Sequence, residues 1–308
     1  MIKEFGGDLI QWLRGFYFVA RTGSVTRAAE AMRRNQPAIS HQIKCLEEEF
    51  GIILFERSRG KMELTAEGKV LLKLVVPLFE LIEEMKEKLY KPKLPVEGIV
   101  RVATTHAVIL YYLPQFLLEF HRRYPRVPFD LQGGGVETIV AAVETGSADF
   151  GIASFLETPA GLVAYDLFET QLKLITSKNL KPFSRKKKIS MEAMAGLPYI
   201  GFPRTSTITP LIEKRFAQEG LKINTVLVFN NFEIVKKYVE LGLGVAILDD
   251  FTITPEDEGK LSVFDLSNFF GQRKYQILLR QKKYLNPAAR EFLEGIRKGC
   301  PLPEGAGG

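Results

Sequence analysis

The first fifty residues contain three successive runs of apolar residues at helical spacing, separated by turn residues. The first run starts near Leu9 and ends at Gly23, a residue type that commonly caps a helix C-terminus. Ser24 can cap a second, short helix, and a third helix is predicted over residues 36–50 with Pro37 in its first turn. A tight turn joins the second helix to the third. This order of elements predicts a helix-turn-helix.

The third predicted helix carries polar and acidic residues at opposite ends. Its free face presents four polar or basic residues near the N-terminus: Gln36, Ser40, His41 and Lys44. The acidic residues 47–49 lie at the C-terminal end. A helix that enters the major groove contacts base edges with polar side chains near its N-terminus and keeps carboxylates away from phosphates. An ordinary solvated helix start gives the same pattern, so the DNA interpretation depends on the flanking elements.

A basic hairpin is predicted directly after the third helix. Residues 51–65 read as two short strands around Arg59-Gly60, which is typical of a wing. Basic residues bracket the polar helix tip and are expected to hold the phosphate backbone. They are Arg27, Arg33, Arg34, Arg57, Arg59 and Lys61. We therefore interpret residues 1–65 as a winged helix-turn-helix that binds double-stranded DNA.

Residues 66–89 read as one long helix with a heptad-like seam of apolar residues. The seam consists of Leu71, Val75, Leu78, Ile82, Met85 and Leu89. It predicts a homodimer, the alternative being a helix that packs on its own domain. Pro77 is expected to bend this helix near Lys73. We assign residues 66–91 to a linker and dimerisation helix and residues 92–97, with two prolines, to a hinge.

Strands and helices alternate from Gly98 onward, which predicts a mostly parallel α/β sheet divided into two lobes. Two late strands, over 261–266 and 274–281, and a closing helix over 287–298 are expected to return the chain to the first lobe. We assign residues 98–300 to an effector-binding domain and residues 301–308 to a flexible tail. The predicted fold class is thus multidomain α/β.

Loops at the carboxyl ends of the predicted strands nominate a ligand site, because ligands of open parallel sheets bind there. The candidates are Thr104, Thr105, His106, Gln132, Gly133, Ser154, Thr205, Ser206 and Thr207. Hydroxyl and amide donors at helix starts favour a small polar, anionic metabolite. Each hydroxyl is equally expected as a helix N-cap, His106 as a structural histidine, and the glycines at 133–135 as a flexible turn.

Composition restricts the function further. The net charge of +6 and pI of about 9.1 permit an anionic partner. The two cysteines, Cys45 and Cys300, have no disulfide or metal-ligand spacing, and the sequence contains no membrane-length apolar segment or secretory signal, so a cytoplasmic protein without a cofactor is expected. An enzyme is disfavoured because nucleotide-binding and nucleophile motifs are missing. A solute-binding transport component is disfavoured by the helix-turn-helix.

The N-terminal sequence resembles the DNA-binding domain of LysR-type transcriptional regulators. The resemblance rests on AA at 28–29, QPAIS at 36–40, LE at 46–47, LFER at 54–57 and LTAEG at 64–68. It implies that Gln36, Pro37, Ser40 and Gln42 face the major groove, and that Arg57 and Arg59 hold phosphates. Arg34, Lys44 and Lys61 complete the residues that we expect at the DNA.

The C-terminal sequence is similar to the periplasmic-binding-protein-like effector domain of the same family, most of all to its CysB-like branch. Matching segments include TTH at 104–106, ADFGIAS at 148–154 and VKKYVELGLGVAIL at 235–248. The resemblance aligns Thr105, Ser154 and Thr205 with polar ligand contacts of that branch. This chain has Ala107-Val108 where the branch has Thr-Gln, so a similar pocket of different specificity is expected. The implied partners are DNA, a small effector, a second copy of the chain in a homodimer or homotetramer, and RNA polymerase.

Overall fold

The computed structural model describes residues 8–58, 61–89, 96–155, 157–179 and 189–297, with the backbone alone at 57, 58 and 61. The chain forms two compact units, residues 1–94 with the short segment 144–147, and residues 95–143 with 148–308. Residues 92–95 of the predicted hinge at 92–97, and the predicted tail at 301–308, lie outside the described residues. No helix in the described part of the chain is long and apolar enough to span a membrane.

The N-terminal unit contains the three predicted helices, the hairpin and the long helix. They are α1 (Leu9–Thr22), α2 (Val25–Met32), α3 (Gln36–Phe50), β1 (Phe55–Ser58), β2 (Lys61–Leu64) and α4 (Ala66–Leu89). Gly23 ends α1 at a φ of 62°, where a residue without Cβ is favoured. Ser24 and Asn35 cap α2 and α3 by accepting hydrogen bonds from the amides of Arg27 and Ala38. These local signals explain why the sequence predicted the boundaries well.

The core of the N-terminal unit lies between the three short helices and the first half of α4. Its fully buried centre is formed by Phe16, Val19, Ala28, Ile39 and Leu46. The small side chain at position 28 lets the short helices approach each other closely. Leu72, Val75 and Val76 of α4 close this core, so the start of the long helix belongs to the helix-turn-helix domain.

Gly68 fixes how α4 leaves the hairpin. A Cβ at this position would lie 2.2 Å from the carbonyl oxygen of Leu54, which backbone atoms do not permit. Thr65 supports the same junction, because its hydroxyl donates to the carbonyl of Ile53 and accepts from the amide of Gly68. The LTAEG segment is therefore a junction between wing and long helix.

The apolar seam of α4 is displaced from its predicted position. Leu71, Val75 and Leu78 pack on the core of the N-terminal unit and so were wrongly assigned to a free seam. The stripe that stays exposed consists of Val70, Leu74, Leu81, Met85 and Leu89, each 52–79% exposed. The physical reason is that the domain core occupies the face that the heptad pattern assigned to a partner. The helix runs unbroken through Pro77.

The C-terminal unit has two lobes joined by a long strand. Lobe one begins with β3 (Val100–Thr104), a π-helical turn (Val108–Tyr112), α5 (Leu113–Arg123), β4 (Phe129–Gly133), α6 (Val136–Glu144) and β5 (Phe150–Ala153). The joining strand is β6 (Leu162–Ser177). Lobe two contains α7 (Met191–Ala195), β7 (Pro198–Gly201), α8 (Thr209–Gln218), β8 (Asn224–Val228), α9 (Phe232–Glu240), β9 (Ala246–Asp249), a 3-10 turn (Asp250–Thr252), α10 (Pro255–Lys260), β10 (Leu261–Asp265) and α11 (Ser267–Phe270). The chain returns to lobe one with β11 (Gln272–Arg280) and α12 (Pro287–Arg297).

The main sheet is mixed, so the expectation of a mostly parallel sheet is wrong. Its strand order is β10-β6-β11-β5-β3-β4, and β9 also pairs with β6. Strand β3 pairs in parallel with β4 and β5, whereas all pairings of β6 and β11 are antiparallel. No strand was predicted from the sequence in the region of β6, although this strand determines the topology. The α/β fold class itself is confirmed.

Two strand crossings connect the lobes. The first part of β6, up to Gln171, pairs with β11, and the part from Leu172 pairs with β9 and β10. The chain returns through Gly271, whose φ of 64° and ψ of −159° form a combination that only glycine adopts readily. Strand β10 buries Leu261 in the core of lobe two, so its predicted return to lobe one is wrong. The return of β11 and α12 is confirmed by their burial in the core of lobe one.

Candidate DNA interface and ligand pocket

The N-terminal tip of α3 is a free polar surface. Gln36, Pro37, Ser40 and Lys44 are all exposed, while Ile39 on the opposite face is fully buried. Asn35 accepts the amide of Ala38 at 2.9 Å and so fixes the start of this helix. Exposed Arg33 and Arg34 form the preceding turn, with Arg33 at a φ of 52°. The predicted arrangement of polar tip and flanking cations is therefore present at this end.

Gln42 has a different environment from the other residues assigned to this surface. Its Oε1 atom is buried and, among the described residues, has no hydrogen-bond partner. A Cβ built on Gly15 of α1 would lie 2.4 Å from this oxygen, so the Gln42 carbonyl faces the contact between α1 and α3. The expectation that Gln42 faces outward with Gln36 does not hold for this oxygen. The side chains of Arg57, Arg59 and Lys61 lie outside the described residues.

The acidic end of α3 has a structural role. Glu47 accepts hydrogen bonds from the amides of Leu54 and Phe55 at 2.8 and 3.3 Å, which ties the helix to the hairpin. The amide of Met62 in turn donates to the carbonyl of Gly23 at 3.0 Å. The hairpin backbone is therefore hydrogen-bonded both to α3 and to the turn after α1, which fixes its position relative to the helices.

A cavity of about 240 Å³ in the C-terminal unit receives residues from both lobes. Lobe one contributes residues that follow β3 and β4, together with Tyr275 of β11, and lobe two contributes residues that follow β7 and β8 and the end of β9. The lining consists of Thr105, His106, Gly134, Gly135, Phe202, Pro203, Thr205, Ser206, Thr207, Ile208, Asn230, Phe232, Asp249 and Tyr275. Five of the residues predicted from the carboxyl ends of the strands lie together in this lining: Thr105, His106, Thr205, Ser206 and Thr207.

The remaining candidates for the ligand site lie outside the lining. Thr104 is fully buried, and its hydroxyl donates to the carbonyl of Ile152 at 2.6 Å, so it belongs to the sheet interior. Gln132 and Ser154 are not among the lining residues. Gly133 instead makes room for His106, since a Cβ there would lie 2.7 Å from Nε2 of the ring. The adjacent Gly134 and Gly135, rather than Gly133, line the cavity.

Two of the lining hydroxyls, those of Thr105 and Ser206, also accept hydrogen bonds from backbone amides near the start of a helical segment. The Oγ1 atom of Thr105 accepts from the amide of Val108 at 3.4 Å. The Oγ atom of Ser206 accepts from the amide of Thr209 at 3.2 Å and donates to the Thr209 hydroxyl at 2.9 Å. These hydrogen bonds hold the two hydroxyls at the cavity wall, next to the amides of two helix starts.

A buried charged cluster at the cavity was missed by the sequence analysis. Asp249 is 1% exposed and accepts hydrogen bonds from the Arg273 guanidinium and, at 3.0 Å, from the Tyr275 hydroxyl. Arg273 also donates to the hydroxyl of Thr207 at 3.2 Å. Burial lowers the pKa of Arg273, but Asp249 more than offsets this and the pKa is raised. The cluster therefore holds a neutralised ion pair in the wall.

Burial raises the pKa of Tyr275, and the neighbouring Asp249 raises it further, so the phenol stays protonated and donates. The signal for this cluster was present in the sequence, because Arg273 and Tyr275 occupy alternate positions of a strand whose second half is the apolar run Ile277, Leu278 and Leu279. Asp249 similarly ends the apolar run of β9. Charged residues inside buried strands need partners, and these two strands supply each other's.

Two family models match the chain. The model described as the bacterial regulatory helix-turn-helix protein of the lysR family matches residues 10–69, and the LysR substrate binding domain matches residues 95–301. Among the described residues, no group of three or more histidine, cysteine or acidic residues is arranged to hold a metal ion.

Curated relatives cover nearly the whole chain. The HTH-type transcriptional activator CmpR of Synechocystis sp. is 29% identical over 283 residues, covering 91% of each chain. The HTH-type transcriptional regulator CysB of Burkholderia cenocepacia is 28% identical over 278 residues, covering 90% of this chain and 88% of the relative. Both names describe transcriptional regulators rather than enzymes, in agreement with the prediction from the sequence.

Solved structures share the fold. A full-length variant of OxyR from Pseudomonas aeruginosa superposes with a TM-score of 0.81 at 22% identity and covers 96% of both chains. The cofactor-binding domain of the Cbl transcriptional regulator superposes with a TM-score of 0.59 at 26% identity, covering 67% of this chain and 91% of that domain. With both family models matched in the expected order, the chain belongs to the LysR family of DNA-binding transcriptional regulators.

Proposed function

We propose that this protein binds specific DNA sequences as a homodimer, and that a small, polar and anionic metabolite between the two lobes of its C-terminal unit controls its activity. The observation that carries the proposal is the exposed polar tip of α3, with its carboxylates confined to the other end of the helix. A surface of this kind has no role in the packing of the domain. It matches the requirements of the major groove.

At the DNA, we assign two kinds of contact. Gln36, Pro37 and Ser40 are placed to reach base edges, with Pro37 offering apolar contact to a thymine methyl. The basic residues Arg34, Lys44, Arg57, Arg59 and Lys61 hold phosphates on either side. Lys44 lies 3.5 Å from Glu48 in an exposed ion pair, which costs little to exchange for a phosphate. Gln42 contributes through its amide nitrogen rather than its buried oxygen.

In the C-terminal unit, we assign effector binding to the wall that both lobes share. Thr105, His106, Thr205 and Ser206 supply donors, and the helix starts behind them add backbone amides that favour an anion. The volume of about 240 Å³ suits a small metabolite. Asp249 does not repel an anion because Arg273 neutralises it.

The assembly follows from the exposed stripe on α4. Leu74, Leu81 and Met85 of two copies would bury one another along antiparallel or parallel helices and place two α3 tips on one duplex. Dimers of this kind pair into tetramers in our proposal, and RNA polymerase is the partner through which DNA binding affects transcription. The protein acts in the cytoplasm. The solved full-length CbnR in complex with its target DNA shares this fold, with a TM-score of 0.54.

The metabolite acts by shifting a population. If it binds better when the lobes are close together, it favours that arrangement in proportion to its differential affinity. The arrangement of the lobes then biases the geometry of the dimer on DNA. Either activation or repression can follow, depending on where the site lies relative to the promoter.

The test starts with DNA. Full-length protein is mixed with sheared genomic DNA from the host at low salt, and the retained fragments are sequenced and footprinted. We expect a two-fold symmetric footprint with half-sites separated by whole helical turns of about 10 bp. Metabolites of the enzymes encoded beside these sites are then titrated by calorimetry. A protein that retains no duplex fragment at low salt would contradict the proposal.

A further inference from the structure

The two lobes of the C-terminal unit touch at a polar cluster beside the cavity. Tyr111 lies in the π-helical turn of lobe one, and its hydroxyl donates to the carboxylate of Glu233 on α9 of lobe two. π-helical turns cost backbone hydrogen-bond geometry and are found mostly at functional positions. The cluster therefore joins an irregular segment of one lobe to a regular helix of the other.

Lys236 forms the centre of this cluster. Its side chain is 4% exposed, and its ammonium lies 2.8 Å from Glu233 and 2.7 Å from Asp257, and donates to the carbonyl of Thr252 at 3.1 Å. The same ammonium lies 4.9 Å from the centre of the Tyr111 ring, within reach of a cation–π interaction. Tyr111 thus contacts a carboxylate through its hydroxyl and a cation through its ring.

The protonation states suit a lasting contact. Burial and the hydrogen bond to Glu233 raise the pKa of Tyr111 to about 12, so the phenol stays a donor at physiological pH. Burial lowers the pKa of Lys236, but its partners Asp257 and Glu233 more than offset this and the pKa is raised. Tyr111 therefore remains a hydrogen-bond donor and Lys236 remains a cation throughout the neutral range.

The residues of the cluster continue directly from residues of the cavity wall. Thr105 and His106 precede Tyr111 on the same segment of lobe one, and Phe232 is the immediate neighbour of Glu233 in lobe two. A ligand that contacts these wall residues therefore acts on both sides of the cluster. On the other side of the cavity, a Cβ on Gly135 would lie 2.5 Å from the carbonyl oxygen of Thr205, so the lobes also meet there.

The cluster around Tyr111 and the buried pair of Arg273 and Asp249 are expected to respond differently when one lobe rotates relative to the other. That pair lies where β9 and β11 flank the crossing of β6, close to any axis of lobe rotation. Contacts near an axis survive a rotation, whereas contacts away from it separate. Tyr111 and Glu233 belong to different lobes and lie away from the strand crossings, so opening of the lobes would separate them.

We propose that Tyr111 and Glu233 form a latch that holds the two lobes together over the cavity, with Lys236 as its fixed anchor. The latch sets how much of the protein is closed before any ligand binds, and so sets the response to the effector. This inference rests on the proposed function for its role in regulation. The latch itself is a property of the C-terminal unit and is measured without DNA or effector.

The experiment measures the distance between the lobes. Cys45 and Cys300 are replaced by serine, and spin labels are attached to cysteines at the exposed positions Glu119 on α5 and Lys214 on α8. Labelled full-length protein is diluted with unlabelled protein so that each distance arises within one chain. Distance distributions are recorded by pulsed electron resonance for the unliganded protein, Tyr111→Phe, Glu233→Gln and the double variant.

Each lobe offers a matched control. Tyr124→Phe also removes a hydroxyl that donates to a glutamate, Glu291 at 3.2 Å, but both residues belong to lobe one. Glu240→Gln also removes a carboxylate paired with a lysine on α9, Lys237 at 3.1 Å, but this pair lies within the helix. Neither control removes a contact between lobes.

We expect each latch variant to shift the ratio of long to short distances about tenfold, as for the loss of one hydrogen bond to a charged group. The double variant should shift it no further than either single variant, and the controls should match the wild type. Unchanged distances in both latch variants, or equal changes in the controls, would overturn the latch. Wild-type protein that binds no duplex DNA would contradict the proposed function instead, and the distances would still decide the latch.

Discussion

The guanidinium of Arg273 donates to the carboxylate of Asp249 inside the C-terminal unit, where the two side chains are only 5% and 1% exposed. Removing one partner leaves a charge without compensation, so Arg273→Met should lower the free energy of unfolding of this unit by about 3–5 kcal/mol. The neighbouring Lys274 pairs with Asp166 on the surface, and Lys274→Met should cost at most about 1 kcal/mol. Urea unfolding of the full chain measures both. Equal losses of unfolding free energy in the two variants would show that burial does not increase the contribution of the Arg273–Asp249 pair to stability.

A second prediction separates base contacts from phosphate contacts. Gln36→Ala should weaken binding to the selected operator by about 1–3 kcal/mol and leave binding to random duplex unchanged, because a base contact carries sequence information. Arg34→Ala should weaken both and reduce the slope of log K against log salt by about one. Fluorescence anisotropy over a salt series measures the two variants together. Equal loss on random DNA for Gln36→Ala would reject its role as a base contact.

A third prediction concerns the cavity wall. Thr205→Val keeps the shape of an exposed side chain and removes its hydroxyl, so it should weaken effector binding by about 1–2 kcal/mol while operator affinity stays the same. Thr225→Val, on the exposed strand β8 outside the cavity, is a control of the same chemistry. Calorimetry is performed with the metabolite identified from the neighbouring genes. An unchanged dissociation constant in Thr205→Val would remove this residue from the site.

The fourth prediction tests the stripe on α4. Leu74 is 68% exposed and Leu72 is 3% exposed, although they lie only two residues apart. Leu74→Glu should therefore dissociate the dimer without changing the unfolding of the N-terminal unit, whereas Leu72→Ala should cost about 2–5 kcal/mol of stability and leave the dimer intact. Sedimentation analysis and thermal unfolding distinguish the two effects. A dimeric Leu74→Glu protein would place the interface elsewhere.

The fifth prediction concerns acid stability. Burial raises the pKa of Asp257, but hydrogen bonds from Lys236 and Thr254 outweigh burial and hold the pKa below its ordinary value. A carboxyl with a depressed pKa stabilises the folded state above its unfolded pKa of about 3.9, and this contribution is lost as the pH falls through the folded pKa. Urea midpoints of Asp257→Asn should therefore depend less on pH below about pH 4 than those of the wild type. Parallel curves would contradict this assignment.

Local signals explain the part of the fold that the sequence predicted. Capping by Ser24 and Asn35 depends on neighbouring residues only, and the same is true of Gly23 at the end of α1. The α3 boundaries and the exposed tip could therefore be read directly. The loops after β3 and β7 were found by a general rule about the carboxyl ends of parallel strands.

Tertiary contacts determine the rest. The heptad pattern of α4 cannot distinguish Leu71, which packs on its own domain, from Val70, which is exposed. Strand β6 contains acidic and basic residues such as Asp166 and Lys173, whose partners come from distant strands, so its polar composition obscured a strand at the centre of the sheet. Asp249 and Arg273 are 24 residues apart and meet only through the lobe crossing.

The close contact at Gly68 attaches the long helix α4 rigidly to the helix-turn-helix domain. Leu72 and Val76 of α4 belong to the core of that domain. A rotation of α4 about its axis therefore rotates the tip of α3 by the same angle. In a dimer, the spacing and the rotational phase of the two α3 tips along the duplex would then depend on the angle at which the two α4 helices cross. A substitution on the exposed stripe of α4 that changes this angle would then change the operator spacing that the dimer prefers, without altering any residue assigned to base contact.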